Sequence, residues 1–240
     1  MASLGKRVIS SVRRSGIRQS IRSLRVHLSR ELRKYREGAF DRRYGTATHQ
    51  RIDLSELPSL DGKLQPAHAE WSYEAIDDKR FRRLIRKVPA DPAGLNFIDV
   101  GSGKGRAVML AAQYPFRRVI GVEFAAELYE LAKKNTEIFA AKVSPLAPIE
   151  LVLADFLGYT PPPHDAIFFL KNPFPHRIAR DVIARIEELA KATMGEAFIV
   201  YTEPPDETAK MMAERFEVVE QTRAHTIARV PKGAATARRA

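Results

Sequence analysis

Three acidic residues each close a short apolar run, at positions where parallel strands would end. The first, Asp99, leads into a turn with glycine at alternate positions, Gly101, Gly103 and Gly105. Glu123 and Asp155 close the runs 118–123 and 149–155. Carboxylates accept hydrogen bonds from hydroxyl and amino groups, and glycine lets a ligand approach the backbone closely. Together these residues predict a site for a nucleotide-like ligand beyond the strand ends.

The spacing favours S-adenosylmethionine as that ligand. Glu123 lies 22 residues after Gly101, near the separation of about 20 typical of an acid that binds ribose hydroxyls. A P-loop needs Ser or Thr after its Gly-Lys pair, but Gly105 follows Lys104 here. A dinucleotide-binding dehydrogenase has G-x-G-x-x-G, and this chain has G-x-G-x-G, so that alternative fits less well. A structural turn without a ligand leaves the three acids unexplained.

Each predicted contact has a physical reason. The glycine turn lets the methionine part of the cofactor approach the backbone, and Glu123 accepts hydrogen bonds from the ribose hydroxyls. Asp155 is expected to accept from the adenine amino group, with Phe156 against the adenine ring. The loop containing Tyr44 and Thr46 is expected to fold over the ligand. The predicted cofactor-binding residues are Tyr44, Thr46, Asp99, Gly101, Ser102, Gly103, Gly105, Glu123, Asp155 and Phe156.

A second group, Asn172, Pro173 and Phe174, follows the next predicted strand and would lie at the same edge of the sheet. Methyl transfer needs alignment of the acceptor and exclusion of water. The side-chain oxygen of Asn172 can accept an N–H of an amine, and Phe174 can contact a charged amine. No strong general base accompanies them, which favours a nitrogen acceptor. The alternative is an ordinary strand exit, with Pro173 ending the pairing.

The elements that must position these residues alternate between strands and helices. This order predicts an α/β fold with a doubly wound, mostly parallel Rossmann-like sheet, an antiparallel C-terminal pair and an N-terminal helical extension. The predicted strands are 97–100, 118–123, 149–155, 165–170, 197–201, 216–219 and 226–230. The predicted helices are 73–88, one from near Lys104, 177–191 and 208–215.

Charge divides the chain unevenly. The net charge is +11, of which residues 1–43 carry +10 and residues 231–240 carry +3, leaving −2 for residues 44–230. A body without excess positive charge is unlike a surface that holds a long nucleic acid. The chain has no cysteine, which excludes disulfides and thiolate metal sites. The six histidines show no metal-ligand pairing, so no metal is expected. No apolar run approaches the length of about 20 residues that a membrane span needs.

The basic arm, residues 1–43, has apolar residues at helical spacing: Ile17, Ile21, Leu24, Leu28, Leu32 and Tyr35. Three interpretations remain open: a helix on an anionic membrane surface, a mitochondrial targeting peptide, and a helix packed on the body or a partner. We predict four segments: the arm 1–43, a lid 44–90, a cofactor-binding domain 91–230 and a disordered tail 231–240. A cytoplasmic location is expected, peripheral at a membrane if the arm binds one, or mitochondrial in a eukaryote.

These motifs resemble those of bacterial class I S-adenosylmethionine-dependent methyltransferases. More distantly, they resemble the non-SET histone-lysine methyltransferases, whose Tyr-Gly loop is similar to 44–46, and mitochondrial-type lysine methyltransferases. Segment 171–174 departs from the Asn-Asn-Phe element of the non-SET enzymes, and its proline resembles the Asn-Pro-Pro-aromatic motif of amino-group methyltransferases. The resemblance implies methyl transfer to nitrogen, with a protein side chain as the leading substrate. An RNA or DNA methyltransferase with the arm as clamp, and a non-catalytic module at a membrane surface, stay open.

Overall fold

The computed structural model describes residues 38–50, 52–53, 72–171, 176–193 and 195–231. The described strands are β1 (Ile52–Asp53), β2 (Ser72–Tyr73), β3 (Asn96–Val100), β4 (Arg118–Glu123), β5 (Ile149–Leu153), β6 (Ala166–Lys171), β7 (Ala197–Thr202), β8 (Glu217–Thr222) and β9 (His225–Val230). The described α-helices are α1 (Ala39–Tyr44), α2 (Asp78–Ile85), α3 (Arg106–Ala111), α4 (Ala126–Ala140), α5 (His176–Thr193) and α6 (Asp206–Arg215).

Seven of these strands form one sheet in the order β5-β4-β3-β6-β7-β9-β8. The first five strands in that order are parallel, whereas β9 runs antiparallel to both β7 and β8. The strand order reverses between β3 and β6, and ligands of open α/β sheets bind beyond the carboxyl ends at such a point. The predicted α/β class, mostly parallel sheet and antiparallel C-terminal pair are confirmed.

Helices cover both faces of the sheet, which explains why strands β3 and β7 are buried along their whole length. Successive side chains of β3 alternate between the faces: Phe97 packs with α2, α3 and α4, and Ile98 packs with α5 and α6. The same alternation places Phe169 of β6 in the first cluster and Phe168 in the second. These two cores fix the strand register, because a shift by one residue would exchange the faces.

The predicted helix over 73–88 is wrong at its beginning. Tyr73 belongs to the short strand β2, which pairs with β1, and the helix starts only at Asp78. The carboxylate of Asp77 accepts a hydrogen bond from the backbone N–H of Arg80, 3.0 Å away, and so caps the helix. The helix expected from near Lys104 likewise begins later, at Arg106, because Gly105 has a left-handed backbone with φ of 82°.

Other boundaries shift by a few residues. Helix α6 begins at Asp206, directly after Pro205, and strands β8 and β9 are longer than predicted. The division expected at residue 43 falls inside α1, whose Phe40 and Tyr44 are buried in the first core cluster. Helix α2, within the segment predicted as a lid, also contributes buried side chains to that core.

The apolar stripe 17–35 and residues 232–240 lie outside the described part of the chain. Among the helices that the structure does describe, none combines the length and apolar character needed to cross a membrane. The proposals for the arm and the tail therefore stay predictions.

Candidate active site

The turn between β3 and α3 has a backbone that only glycine adopts easily. Gly101, Gly103 and Gly105 have φ angles of 78°, 54° and 82°, in the left-handed region that costs other residues about 1–2 kcal/mol. The backbone N–H groups of Gly101 and Ser102 both donate to the carbonyl of Val122, at 2.9 and 3.0 Å. The turn, hereafter the glycine loop (residues 101–105), is thus attached to the neighbouring strand β4.

Glu123, at the end of β4, is buried and holds the glycine loop from the other side. Its Oε2 accepts a hydrogen bond from the Gly103 N–H at 2.7 Å, and its Oε1 accepts from the Ala125 N–H at 2.9 Å. A carboxylate has about four acceptor sites, so both oxygens retain room for ligand hydroxyls. Burial raises the pKa of Glu123, although these backbone N–H groups act to lower it.

Asp99 lies at the end of β3, between strands β4 and β6. Its register partners are Gly121 and Phe169, and only 2% of its surface is exposed. Burial raises the pKa of Asp99 well above its usual range, and the negative charge of Glu123 raises it further. Two buried carboxylates with raised pKa values at a strand-end crevice are typical of a functional site, because a bound ligand can supply the donors that the fold does not.

The third acid, Asp155, lies just beyond β5 on the other side of β4. The backbone N–H of Ala154 donates to the carbonyl of Glu123 at 3.0 Å, so the two strand ends adjoin. Asp155 is exposed, and its Oδ1 accepts from the Leu157 N–H at 2.9 Å. Phe156 is buried, with its ring edge-on to that of Phe168. The role of this pair at an adenine group stays a prediction.

The structure also shows a polar cluster behind the glycine loop that the sequence interpretation missed. The buried carboxylate of Asp41 accepts hydrogen bonds from the hydroxyls of Thr46 and Thr48, both at 2.7 Å, and from the backbone N–H groups of Thr48 and His49. Burial acts to raise the pKa of Asp41, but the hydrogen bonds outweigh it and leave the pKa below its usual value.

Arg106, the first residue of α3, completes this cluster, hereafter the Asp41 cluster (Asp41, Thr46, Thr48, His49 and Arg106). Its Nε donates to Thr48 Oγ1 at 2.5 Å, its Nη2 lies 3.3 Å from Asp41 Oδ1, and its guanidinium lies over the Phe40 ring. Asn135 adds a bridge, accepting from the Ala47 N–H and donating to the Lys104 carbonyl. Residues 38–50 are therefore fixed to the glycine loop and α3.

This packing places two predicted cofactor-binding residues among partners of the chain itself. The Tyr44 ring contacts the rings of Phe40 and Phe139, with centroids 4.6 and 4.9 Å apart. Thr46 donates its hydroxyl hydrogen bond to Asp41. Both residues are buried beside the glycine loop, and a direct contact of either with a cofactor stays a prediction.

The predicted acceptor residues Asn172, Pro173 and Phe174 lie outside the described residues. The preceding residue, Lys171, ends β6, and its Nζ lies 3.0 Å from Glu203 Oε2 and 3.5 Å from Glu74 Oε2. Because β6 pairs in parallel with β3, with Leu170 opposite Val100, the chain leaves β6 beside the glycine loop. The prediction that segment 172–174 faces the same crevice follows from this strand order.

Comparisons with known proteins find methyltransferases. No family model matches the chain. It is 31% identical over 111 residues to a trans-aconitate 2-methyltransferase of Sinorhizobium fredii, covering 43% of this chain and 39% of that protein. It is 29% identical over 109 residues to one of Azoarcus sp., covering 41% and 43%. The chain thus spans about two fifths of the curated relatives it matches.

One solved structure similar to this chain is an RNA methyltransferase from Salinibacter ruber in complex with S-adenosyl-L-homocysteine. It is 17% identical, with a TM-score of 0.48, and covers 67% of this chain and 96% of its own. The fold described above, together with the curated relatives, confirms the resemblance to class I S-adenosylmethionine-dependent methyltransferases. The comparisons do not confirm the narrower resemblances to lysine methyltransferases, which stay predictions.

Proposed function

We propose that the chain is an S-adenosylmethionine-dependent methyltransferase that transfers a methyl group to a nitrogen atom, with a protein side chain as the leading acceptor. The observation that carries the proposal is the junction of Glu123 with Gly103. A buried carboxylate at the end of β4 supports the glycine loop at the end of β3, and both lie where the strand order reverses. Ribose hydroxyls and the methionine part of one cofactor can be bound there together.

The protein's own groups would act mainly by orientation. Glu123 and Asp99 bind and orient the cofactor, which supplies the activated methyl group when bound. The buried loop residues and helices behind them exclude water from that side. The transfer then needs an acceptor lone pair in line with the breaking bond between sulfur and methyl carbon. No described residue has to remove a proton for an amine that arrives neutral.

The charges near the predicted acceptor segment support nitrogen as the acceptor atom. Lys171, directly before Asn172 in the chain, is paired with Glu203 and Glu74. Its ammonium group is therefore not a ready partner for an acceptor carboxylate. Glu203 is itself paired with Arg80 and Lys171, so the support for nitrogen comes from the occupied state of Lys171.

A second candidate is methylation of a small carboxylic acid. The specific observation in its favour is the name of the two curated relatives, which are trans-aconitate 2-methyltransferases. Transfer of that substrate to this chain is a proposal, since the match covers about two fifths of either protein. The two candidates differ in product, because a carboxyl methyl ester is hydrolysed by mild base and an N-methyl group is not.

The first test measures cofactor binding. We expect Glu123→Ala to weaken binding of S-adenosylhomocysteine by about 1–3 kcal/mol, the usual loss for hydrogen bonds to a charged group, in isothermal titration calorimetry. Glu130→Ala, on the exposed face of α4, is the matched control and should bind as the parent does. Because Glu123 also supports the loop, Glu123→Gln, which keeps the size of the side chain, is titrated as well. Thermal unfolding must show that the Glu123 variants retain the fold. Unchanged affinity in both Glu123 variants would overturn the assignment.

The second test identifies the acceptor. Methyl-labelled S-adenosylmethionine is incubated with cell extract and either the parent protein or Glu123→Ala, and the label is separated into protein, nucleic acid, lipid and small-molecule fractions. Glu123-dependent label that stays on protein after mild base supports the proposal. Label in RNA or DNA would favour the basic arm as a nucleic-acid clamp, and binding that falls steeply with salt would accompany it. Base-labile label in small acids would favour the second candidate.

A further inference from the structure

Tyr73, the last residue of β2, covers the glycine loop. The space where a Cβ of Gly103 would lie is filled by the Tyr73 ring, through its Cδ2 and Cε2 atoms. The ring therefore lies directly against the part of the backbone that a cofactor must approach. The ammonium nitrogen of Lys104 lies 5.2 Å from the ring centroid.

Lys104 is itself held in place. Its Nζ donates a hydrogen bond to the carbonyl of Gln50 at 2.8 Å, and Gln50 follows directly after the Asp41 cluster. The ring of Tyr73 thus lies against two residues of the glycine loop, Gly103 and Lys104. Pairing of Tyr73 with Ile52 in β1 fixes its backbone as well.

The hydroxyl of Tyr73 is buried and has no hydrogen-bond partner within the part of the chain that the structure describes. Burial raises the pKa of Tyr73, which keeps the group protonated and available as a donor. The charges that act on it include those of Arg106, Asp41, Asp99 and Glu123. Asp99 and Glu123 are the same carboxylates to which cofactor binding is assigned above. A buried donor without a partner is rare in a folded protein and calls for an explanation.

We propose that Tyr73 is a cofactor-binding residue, whose ring covers Gly103 and whose hydroxyl donates a hydrogen bond to an oxygen atom of the bound cofactor. This inference rests on the proposed function and adds a residue to the same site. It explains why the hydroxyl lacks a partner among the described residues. It also gives β1 and β2, which are not part of the main sheet, a role in carrying a side chain to the site.

The test compares Tyr73→Phe with the parent protein by titration calorimetry with S-adenosylhomocysteine. Removing only the hydroxyl should weaken binding about 3- to 10-fold, the usual effect of one neutral hydrogen bond. Tyr73→Ala, which also removes the ring, should weaken it further. Tyr114→Phe is the matched control, because Tyr114 packs beside Phe81 and Phe116 away from the glycine loop and should leave the affinity unchanged. Thermal unfolding without ligand checks that each variant is folded.

A second ligand, 5′-methylthioadenosine, locates the acceptor oxygen. It keeps the ribose and adenine but lacks the amino acid part, so a hydrogen bond to the carboxylate would weaken only S-adenosylhomocysteine in Tyr73→Phe. A hydrogen bond to the ribose would weaken both ligands. Either result supports the inference, whereas equal or tighter binding of both ligands by Tyr73→Phe overturns it. If the parent binds neither ligand, the proposed function fails as well, which separates the two failures.

Discussion

Buried carboxylates lie on two sides of the glycine loop, Asp41 on one and the pair Asp99 and Glu123 on the other. The fold shifts the pKa values of the two sides in opposite directions. Asp41 receives hydrogen bonds from two threonine hydroxyls and from backbone N–H groups, and Arg106 lies beside it. Its pKa is lowered. Asp99 and Glu123 are buried more deeply than Asp41, and this burial raises the pKa of each.

The difference separates a group that serves the fold from one available to a ligand. The carboxylate of Asp41 is compensated by the chain itself, so its negative charge stabilises the native state above the unfolded pKa. That contribution is lost only as the pH falls through its lowered pKa. The negative charges of Asp99 and Glu123 are incompletely compensated, which is a cost to the fold that bound donors can offset. Buried charge alone therefore does not identify a binding site, whereas the direction of the pKa shift helps to.

The largest expected effect comes from breaking the Asp41 cluster. Asp41→Ala removes the buried carboxylate that Arg106 and the two threonine hydroxyls share, and we expect it to lower the free energy of unfolding by about 3–5 kcal/mol, as for other broken buried ion pairs. Urea denaturation measures this loss. Asp181→Asn, at a partly exposed position of α5 where the carboxylate pairs only with the neighbouring Arg180 at the surface among the described residues, should change stability by less than about 0.5 kcal/mol. A loss below about 1 kcal/mol in Asp41→Ala would mean that the cluster does not stabilise the fold.

A smaller effect should appear in the pH dependence of cofactor binding. Because burial raises the pKa of Glu123 and of Asp99, both lose their charge at a higher pH than ordinary carboxyl groups do. Affinity for S-adenosylhomocysteine should therefore fall as the pH is lowered, by up to about 1.4 kcal/mol per pH unit for one proton. Titrations from about pH 8 to pH 5 measure the slope, and Glu123→Gln should reduce it. The same affinity across this range would contradict the raised pKa values.

The smallest expected effect on stability comes from Asp99, the counterpart of Asp41 in this comparison. Asp99→Asn removes a poorly compensated buried charge, so the free energy of unfolding should stay unchanged or rise by up to about 1 kcal/mol, while cofactor affinity falls. Such an exchange between stability and function is common at binding sites. Urea denaturation and calorimetry on one preparation give both values. A variant that is destabilised as strongly as Asp41→Ala would place Asp99 with the residues that serve the fold.

Local patterns in the sequence were sufficient to predict the sheet and the strand-end acids. Strands β3, β4 and β6 are apolar runs with a charged residue at or near the end, namely Asp99, Glu123 and Lys171. The glycine loop is recognisable in the sequence from its three glycines at alternate positions. The Asp41 cluster could not be predicted in this way, because Asp41 and Arg106 are 65 residues apart in the chain and meet only after folding. Tyr73 was misplaced for a similar reason, since its conformation depends on pairing with β1 rather than on helical periodicity.

The fixed position of residues 38–50 has a consequence for the arm that precedes them. The Gly38 carbonyl accepts a hydrogen bond from the Arg42 N–H at the first turn of α1, and α1 is held by the Asp41 cluster against the glycine loop. An extended chain spans at most about 3.6 Å per residue. A molecule bound a few residues before Gly38 therefore stays a short distance from the crevice. A partner of the arm would thereby reach the site at a raised local concentration, without any contact to the body.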